Sequence, residues 1–267
     1  MGQALLRGLR AAGVPARRLL IVEANRATRQ RVCRRYGVLA SDLATVARQC
    51  DVLILAVKPQ DMRPVLDGLR AAVQGGPERR PLVISIAAGL RIRAIERRLG
   101  RWPVVRVMPN LAATVGAAIS TVDKGRWASA SHLALARAIF RCVGEVIELP
   151  ERLFDAVTAV SGSGPAYFFL IFQALRDAGV GQGLPNDVAQ RLVVQTALGS
   201  AKVVDGSTEE LEALIARVAS KKGTTEAALR VFRRSRLTSI LQAGVRAAAK
   251  RSKALTAFLS EDANKRE

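Results

Sequence analysis

Between Asp155 and Arg176 the chain runs for twenty residues without a charge, AVTAVSGSGPAYFFLIFQAL (Ala156 to Leu175), and this stretch separates two kinds of sequence. Before it, apolar runs alternate with amphipathic ones; after it, the pattern is helical almost throughout. Twenty apolar residues suffice to cross a bilayer. However, Ser161, Gly162, Ser163, Gly164 and Pro165 interrupt the run near its middle, where hydrocarbon offers freed backbone groups no partner. The residues instead predict a turn joining two soluble parts, with Pro165 in the first turn of the following helix.

In the front half, LLIVE (Leu19 to Glu23), DVLILAV (Asp51 to Val57), PLVISIA (Pro81 to Ala87) and PVVRVM (Pro103 to Met108) read as short strands. Amphipathic patterns at Thr28 to Tyr36, Gln60 to Val73 and Ile92 to Leu99 lie between them, and Gly37 closes the first. Near-continuous apolar runs are what parallel strands covered on both faces require. Their alternation with helices predicts a parallel sheet wrapped by helices. Gly116 to Val122, a helix at Ala130 to Arg141 and a strand at Glu145 to Leu149 complete this domain.

In open sheets of this type ligands bind beyond the carboxyl ends of the strands. Here those ends read Lys58-Pro59-Gln60, Ser85-Ile86-Ala87-Ala88-Gly89 and Met108-Pro109-Asn110. The two prolines explain themselves by ending a ladder. Lys58 and Asn110, directly after buried strands, need either solvent or a partner. The second strand of a dinucleotide fold selects the ribose with an acidic residue, or accommodates a 2′-phosphate with arginine. Asn25, Arg26 and Arg29 favour the phosphate, and Glu23 stands slightly early.

A dinucleotide-binding unit begins with a strand and a glycine-rich turn, whereas Met1-Gly2-Gln3-Ala4-Leu5-Leu6 is already helical in pattern. That strand is central in the usual order, so its omission opens a gap between the second and fourth positions. The expectation is about ten further residues upstream, enough for one short strand and its turn.

The back half predicts helices at Asp155 to Val160, Pro165 to Ala178, Pro185 to Val204, Glu209 to Ala219, Thr225 to Arg233 and Leu237 to Leu259. Their apolar faces exceed what a small bundle can hide, which points to a homodimer. Between two of them, Ser220-Lys221-Lys222-Gly223-Thr224-Thr225-Glu226 offers hydroxyls, free backbone N–H groups and a helix N-terminus, an anion site. Thr224 suits a helix cap there. The lone His132 reads as a solvated residue of a surface helix.

Two other function classes find little support. The net charge of +20 is concentrated in front: residues 1–150 carry 25 Lys or Arg against 10 Asp or Glu, and residues 151–267 carry 17 against 12. Most of the excess falls on solvent-facing helix positions and lacks the interleaved aromatics that single-strand binders stack on, so nucleic acid is not expected. Neither Ser/His/Asp sets nor metal-ligand spacings occur. Cys33, Cys50 and Cys142, odd in number and widely spaced, read as reduced thiols of a cytoplasmic protein.

Four stretches together carry a family resemblance: AVKPQ (Ala56 to Gln60), RVMPN (Arg106 to Asn110), AVSGSGPAYFF (Ala159 to Phe169) and ASKKGTTEAALRVF (Ala219 to Phe232). In order and spacing the chain resembles the pyrroline-5-carboxylate reductases over nearly its whole length. Met1-Gly2-Gln3-Ala4-Leu5 is similar to the end of that family's glycine-rich motif, whose first strand and leading glycines are absent.

The resemblance implies an α/β fold: a Rossmann-like NADP-binding domain over residues 1–150, lacking its first strand, and an all-α dimerisation and substrate domain over residues 151–267. It implies hydride transfer from NADPH, or NADH, to the imine of L-1-pyrroline-5-carboxylate. Gly2 would bind the cofactor, Ala56, Val57, Lys58 and Asn110 would line its nicotinamide and ribose, and Asn25 and Arg26 the adenosine end. Ser220, Gly223 and Thr224 would hold the substrate carboxylate, with Ser161 lining the site. Thr225 would reach the ring nitrogen, and Thr225 and Lys58 are the catalytic candidates. The stretch from Ser161 to Tyr167 would face both the nicotinamide end and the Ser220 to Thr225 loop, in the same subunit or in a dimer partner.

The chain departs from the family at Lys222, where glycine is usual, and at Leu111-Ala112, where Thr-Pro often stands. Two other readings stay open. One is a related dehydrogenase for a small hydroxy acid or another imine, for which Lys202 is the available acid/base of a hydroxy-acid enzyme. The other is an inactive nucleotide-binding remnant.

Overall fold

A computed structural model describes residues 1–74 and 80–261. The chain forms two compact units, one made of Met1–Ser163 with the residues from Ala248 on, the other of Gly164–Ala247.

The first unit begins α1 (Gly2–Ala11), β1 (Leu20–Ile21), α2 (Arg26–Tyr36), β2 (Leu39–Ala40), α3 (Leu43–Gln49) and β3 (Val52–Leu55). It continues α4 (Met62–Ala72), β4 (Leu82–Ser85), α5 (Ile92–Leu99), β5 (Val104–Met108), β6 (Ala118–Lys124), α6 (Ala130–Arg141) and β7 (Gly144–Glu148). β3, β4 and β5 pair in parallel, β6 turns back antiparallel to β5, and β7 runs parallel to β6. β1 and β2 form a separate parallel pair. Among the described residues no ladder joins β1 to β3, and the interruption falls between the second and fourth positions of the expected order.

Burial follows this topology. Every residue of β4 and β5 is buried, because both strands have neighbours on each side and helices on both faces. In β3, Leu53 and Leu55 are buried while Val52 and Ile54 remain half-buried. Leu53, Leu55 and Val104 face one core with Leu66 and Leu69 of α4 and Ile95 of α5. Ile84, Val105 and Val107 face a second core with Ala4 and Leu5 of α1 and Ala136 and Phe140 of α6. Gly37 ends α2 at φ 67°, a left-handed position suited to glycine. His132 is not simply solvated: its Nδ1 accepts from Ser129 N–H at 3.1 Å, and Ser129 Oγ accepts from His132 N–H at 3.2 Å, a reciprocal cap that starts α6.

After β7 the chain makes a 3₁₀ turn at Glu151–Leu153, a short helix α7 (Phe154–Val157) and a π turn at Thr158–Gly162. The expected break at Ser161 to Pro165 is therefore a widened helical turn, in which Ser163 N–H reaches Thr158 O at 2.8 Å. The hydroxyls of Thr158 and Ser161 donate to the carbonyls of Phe154 and Val157 at 2.7 and 3.0 Å. Such back-bonding bends helices, and π turns recur at functional sites.

The second unit holds α8 (Gly164–Gly181), α9 (Asn186–Asp205), α10 (Leu211–Val218), α11 (Thr224–Arg234) and the first part of α12 (Leu237–Glu261), through Ala247. Among its described residues only Gly164 and Ala189 are buried. Phe168, Phe169, Leu170, Val194, Leu198 and Ile240 all lie exposed. So much uncovered apolar surface marks a site of association. No described helix is long and apolar enough to cross a membrane.

Candidate active site

In the first unit the predicted cofactor residues gather at the carboxyl ends of the strands. Ala56 and Val57 follow β3 directly, and Lys58 precedes the 3₁₀ turn Pro59–Asp61, accepting from Asp61 N–H at 2.9 Å through its carbonyl. Val57 packs on the core, while Ala56 and Lys58 are exposed. Gly2 opens α1 beside this end of β3: a Cβ on it would lie 3.5 Å from the Ala56 Cβ. Ala4 and Leu5 N–H both bond to Met1 O, so the N–H groups of Gly2 and Gln3 precede the first intrahelical bonds. A helix N-terminus set against a strand end in this way suits an anionic group.

Asn110 follows β5 across Pro109, and its Oδ1 is buried without a hydrogen-bond partner among the described residues. Leaving a buried amide oxygen unpaired costs about 1–3 kcal/mol. An amide or hydroxyl donor of a nicotinamide ribonucleotide would satisfy it, so the residues present fit a nicotinamide cofactor. At the adenosine end, Asn25 caps α2 by accepting from Thr28 N–H at 2.9 Å through Oδ1. Its backbone N–H donates to Glu23 Oε1 at 2.9 Å, and Arg29 Nη1 reaches Glu23 O at 3.3 Å. The Glu23 carboxylate is thus engaged by the turn itself, while Arg26, the first residue of α2, is exposed.

Ser161 lies in the π turn with its hydroxyl spent on Val157 O. The neighbouring Gly162 rests on Met108, the last residue of β5: a Cβ at Gly162 would come within 2.9 Å of Met108 Cε.

The second unit carries the candidate substrate loop. Gly223, and not Thr224, occupies the N-cap of α11, with no side-chain cap bond. Glycine suits this position, since a Cβ at Gly223 would run into Ser220 Oγ and stand 3.0 Å from Ser220 O. Thr224 and Thr225 are therefore the first two helical residues, and their N–H groups have no intrahelical acceptor. Ser220 and Thr224 are exposed and Thr225 half-buried. The Glu226 carboxylate accepts from Lys222 N–H at 2.5 Å, tying the loop to the first turn of α11. Lys222 adopts φ 60°, a left-handed conformation that glycine takes without strain.

Sequence reasoning passed over Arg106, which is 3% exposed inside β5. The available signal was a single charge within the apolar run PVVRVM, since a charge in a strand covered on both faces must have a partner.

Comparison with known proteins identifies relatives over most of the chain. The pyrroline-5-carboxylate reductase dimerisation family matches residues 151–255, and the coenzyme F420-dependent NADP oxidoreductase family matches residues 1–89. The chain is 42% identical to a pyrroline-5-carboxylate reductase of Synechocystis over 89% of its length and 87% of that protein. It is 38% identical to the Mycobacterium tuberculosis enzyme of the same name, over 96% and 93%. Among solved structures, a pyrroline-5-carboxylate reductase from Coxiella burnetii superposes with a TM-score of 0.88 at 32% identity, covering 96% of this chain and 94% of that one. A Plasmodium falciparum pyrroline carboxylate reductase with NADP bound gives a TM-score of 0.85 at 28% identity, over the same shares.

Proposed function

The chain belongs to the pyrroline-5-carboxylate reductase family, and from that membership we propose that it reduces L-1-pyrroline-5-carboxylate to L-proline, the last step of proline synthesis. The observation that carries this reading is the 42% identity to such an enzyme across 89% of the chain. The cofactor is NADPH, with NADH as the other nicotinamide it can take. Residues 1–150 serve as the NADP-binding domain, and residues 151–267 as the dimerisation and substrate domain. The protein works in the cytoplasm as a homodimer or larger assembly, and its three free cysteines suit that compartment.

When bound, NADPH supplies the hydride. The chain's own task is to orient, because a protonated imine is already electrophilic. Gly2 and the start of α1 meet the pyrophosphate; Ala56, Val57 and Lys58 line the nicotinamide half; Arg26 serves the adenosine end beside Asn25. Asn110 Oδ1 takes the hydrogen bond that it lacks among the described residues. On the loop before α11, Ser220 Oγ and the Thr224 N–H hold the substrate carboxylate, and Gly223, whose own N–H donates to Ser220 O at 3.0 Å, lets it approach the backbone. Thr225 Oγ1 addresses the ring nitrogen, keeping a hydrogen bond on the atom that gains electron density as its carbon receives hydride. Lys58 contributes positive charge near the site, and Ser161 forms part of its wall.

The proposal is tested by following NADPH absorbance on adding pyrroline-5-carboxylate to purified protein. Oxidation that depends on both substrates supports it, and NADPH binding without oxidation would refute it.

A further inference from the structure

Arg106 is a charge inside the sheet, and its partners belong to the segment that leads out of it. Its Nη1 donates to Glu151 Oε1 at 3.0 Å. Its guanidinium carbon stands 5.0 Å from the ring centre of Phe154, a residue only 1% exposed. Glu151 is fixed from two further directions. The same Oε1 accepts from Ile92 N–H at 2.7 Å, at the start of α5, and Glu151 N–H donates to Asp123 Oδ2 at 2.6 Å. Asp123 is the residue opposite Arg106 in the β5–β6 ladder.

A well-packed apolar side chain of similar volume would serve the stability of such a strand as well as a buried ion pair does. The charge therefore calls for another explanation, and the geometry supplies one. Side chains alternate along a strand, so Arg106 and Met108 leave β5 on the same face. The connecting segment touches both, Glu151 and Phe154 at Arg106 and Gly162 at Met108. It is thereby held at two points along the strand that ends next to Asn110.

We propose that Arg106 is a positioning residue for the reduction: it fixes the π turn Thr158–Gly162, and Ser161 within it, relative to Asn110. Glu151 and Phe154 are the groups through which it acts. As a statement about catalysis, the proposal rests on the activity assigned above.

The test uses the full chain with Arg106→Lys and Arg106→Met. Hydrogen exchange is read by mass spectrometry on peptides covering residues 158–163 and residues 82–85. Arg106→Met is expected to speed exchange in 158–163 by roughly tenfold while leaving 82–85 unchanged. Arg106→Lys, which keeps the charge on Glu151 but gives up the planar stacking on Phe154, should fall between. KM for pyrroline-5-carboxylate should rise roughly tenfold in Arg106→Met, with NADPH affinity by fluorescence titration unchanged. Unchanged exchange in 158–163 would overturn the proposal, as would equal acceleration in both peptides, which would make Arg106 a stability residue alone. If Arg106→Met fails to fold, Arg106→Lys supplies the same comparison. Should the unmodified chain bind NADPH yet leave the substrate unreduced, the assigned activity falls, and the exchange comparison still decides whether Arg106 sets the turn.

Discussion

Asp155 and Ser252, 97 residues apart, are joined by a hydrogen bond of 2.6 Å in which the serine hydroxyl donates to Oδ1. Thr256 donates to the same oxygen at 3.3 Å. Both hydroxyl residues are buried near the end of α12, which therefore closes back on the start of the connecting segment. Ser252→Ala leaves a part-buried carboxylate short of a donor and should cost about 1–3 kcal/mol of stability. Urea unfolding of the variant beside the unmodified chain measures this, and an unchanged midpoint would show that the contact contributes nothing.

Lys222 and its positive φ lead to a second expectation. Glycine relieves left-handed strain, whereas alanine keeps the Cβ that causes it. Lys222→Gly should therefore be more stable than Lys222→Ala by about 1 kcal/mol. Thermal melting of the pair checks it, and equal melting temperatures would place the strain elsewhere.

Asn110 separates binding from stability. Its Oδ1 has no partner among the described residues, so removing it takes no hydrogen bond from the free chain and relieves an unpaired buried oxygen. Asn110→Ala should therefore leave the protein without cofactor at least as stable, by up to about 1–3 kcal/mol. It should also weaken NADPH binding by about tenfold, the value of one hydrogen bond in a buried site. Fluorescence titration and denaturation together read both quantities. Loss of stability with intact binding would contradict the assigned role.

Thr225→Ala should lower kcat for pyrroline-5-carboxylate by well over tenfold, roughly the effect of losing one oriented hydrogen bond to the reacting ring. Thr225→Ser, which keeps the hydroxyl, should recover most of it. Steady-state kinetics on the two variants decide the point, and equal rates would remove Thr225 from the reaction.

The central strands and most helices were legible in the sequence because buried parallel strands must be apolar runs and helices must show their period. β4, β5 and α5 stand where PLVISIA, PVVRVM and Ile92 to Leu99 place them. Pro109 directly follows β5, as a strand-ending residue should, whereas β3 ends at Leu55, short of Pro59. What escaped was whatever depends on pairing across the fold. Arg106 and Glu151 lie 45 residues apart, and no local pattern links them. The cap of α11 falls on Gly223 because of its extended backbone, which the neighbouring Thr224, a better capping residue by type, conceals in sequence. The π turn was hidden because Ser161 to Pro165 read equally well as an open turn, and only the bonds of Thr158 and Ser163 distinguish the two. At Lys222 the departure from the usual glycine was visible in sequence, and the backbone supplies its physical meaning.

The most direct measurement follows the hydride itself. Purified protein is incubated with pyrroline-5-carboxylate and NADPH carrying deuterium at both C4 positions, and the product is examined by mass spectrometry and NMR. The assigned reaction predicts L-proline with one deuterium on C5, the former imine carbon. Oxidation of the cofactor without deuterated proline, or no proline at all, would contradict it.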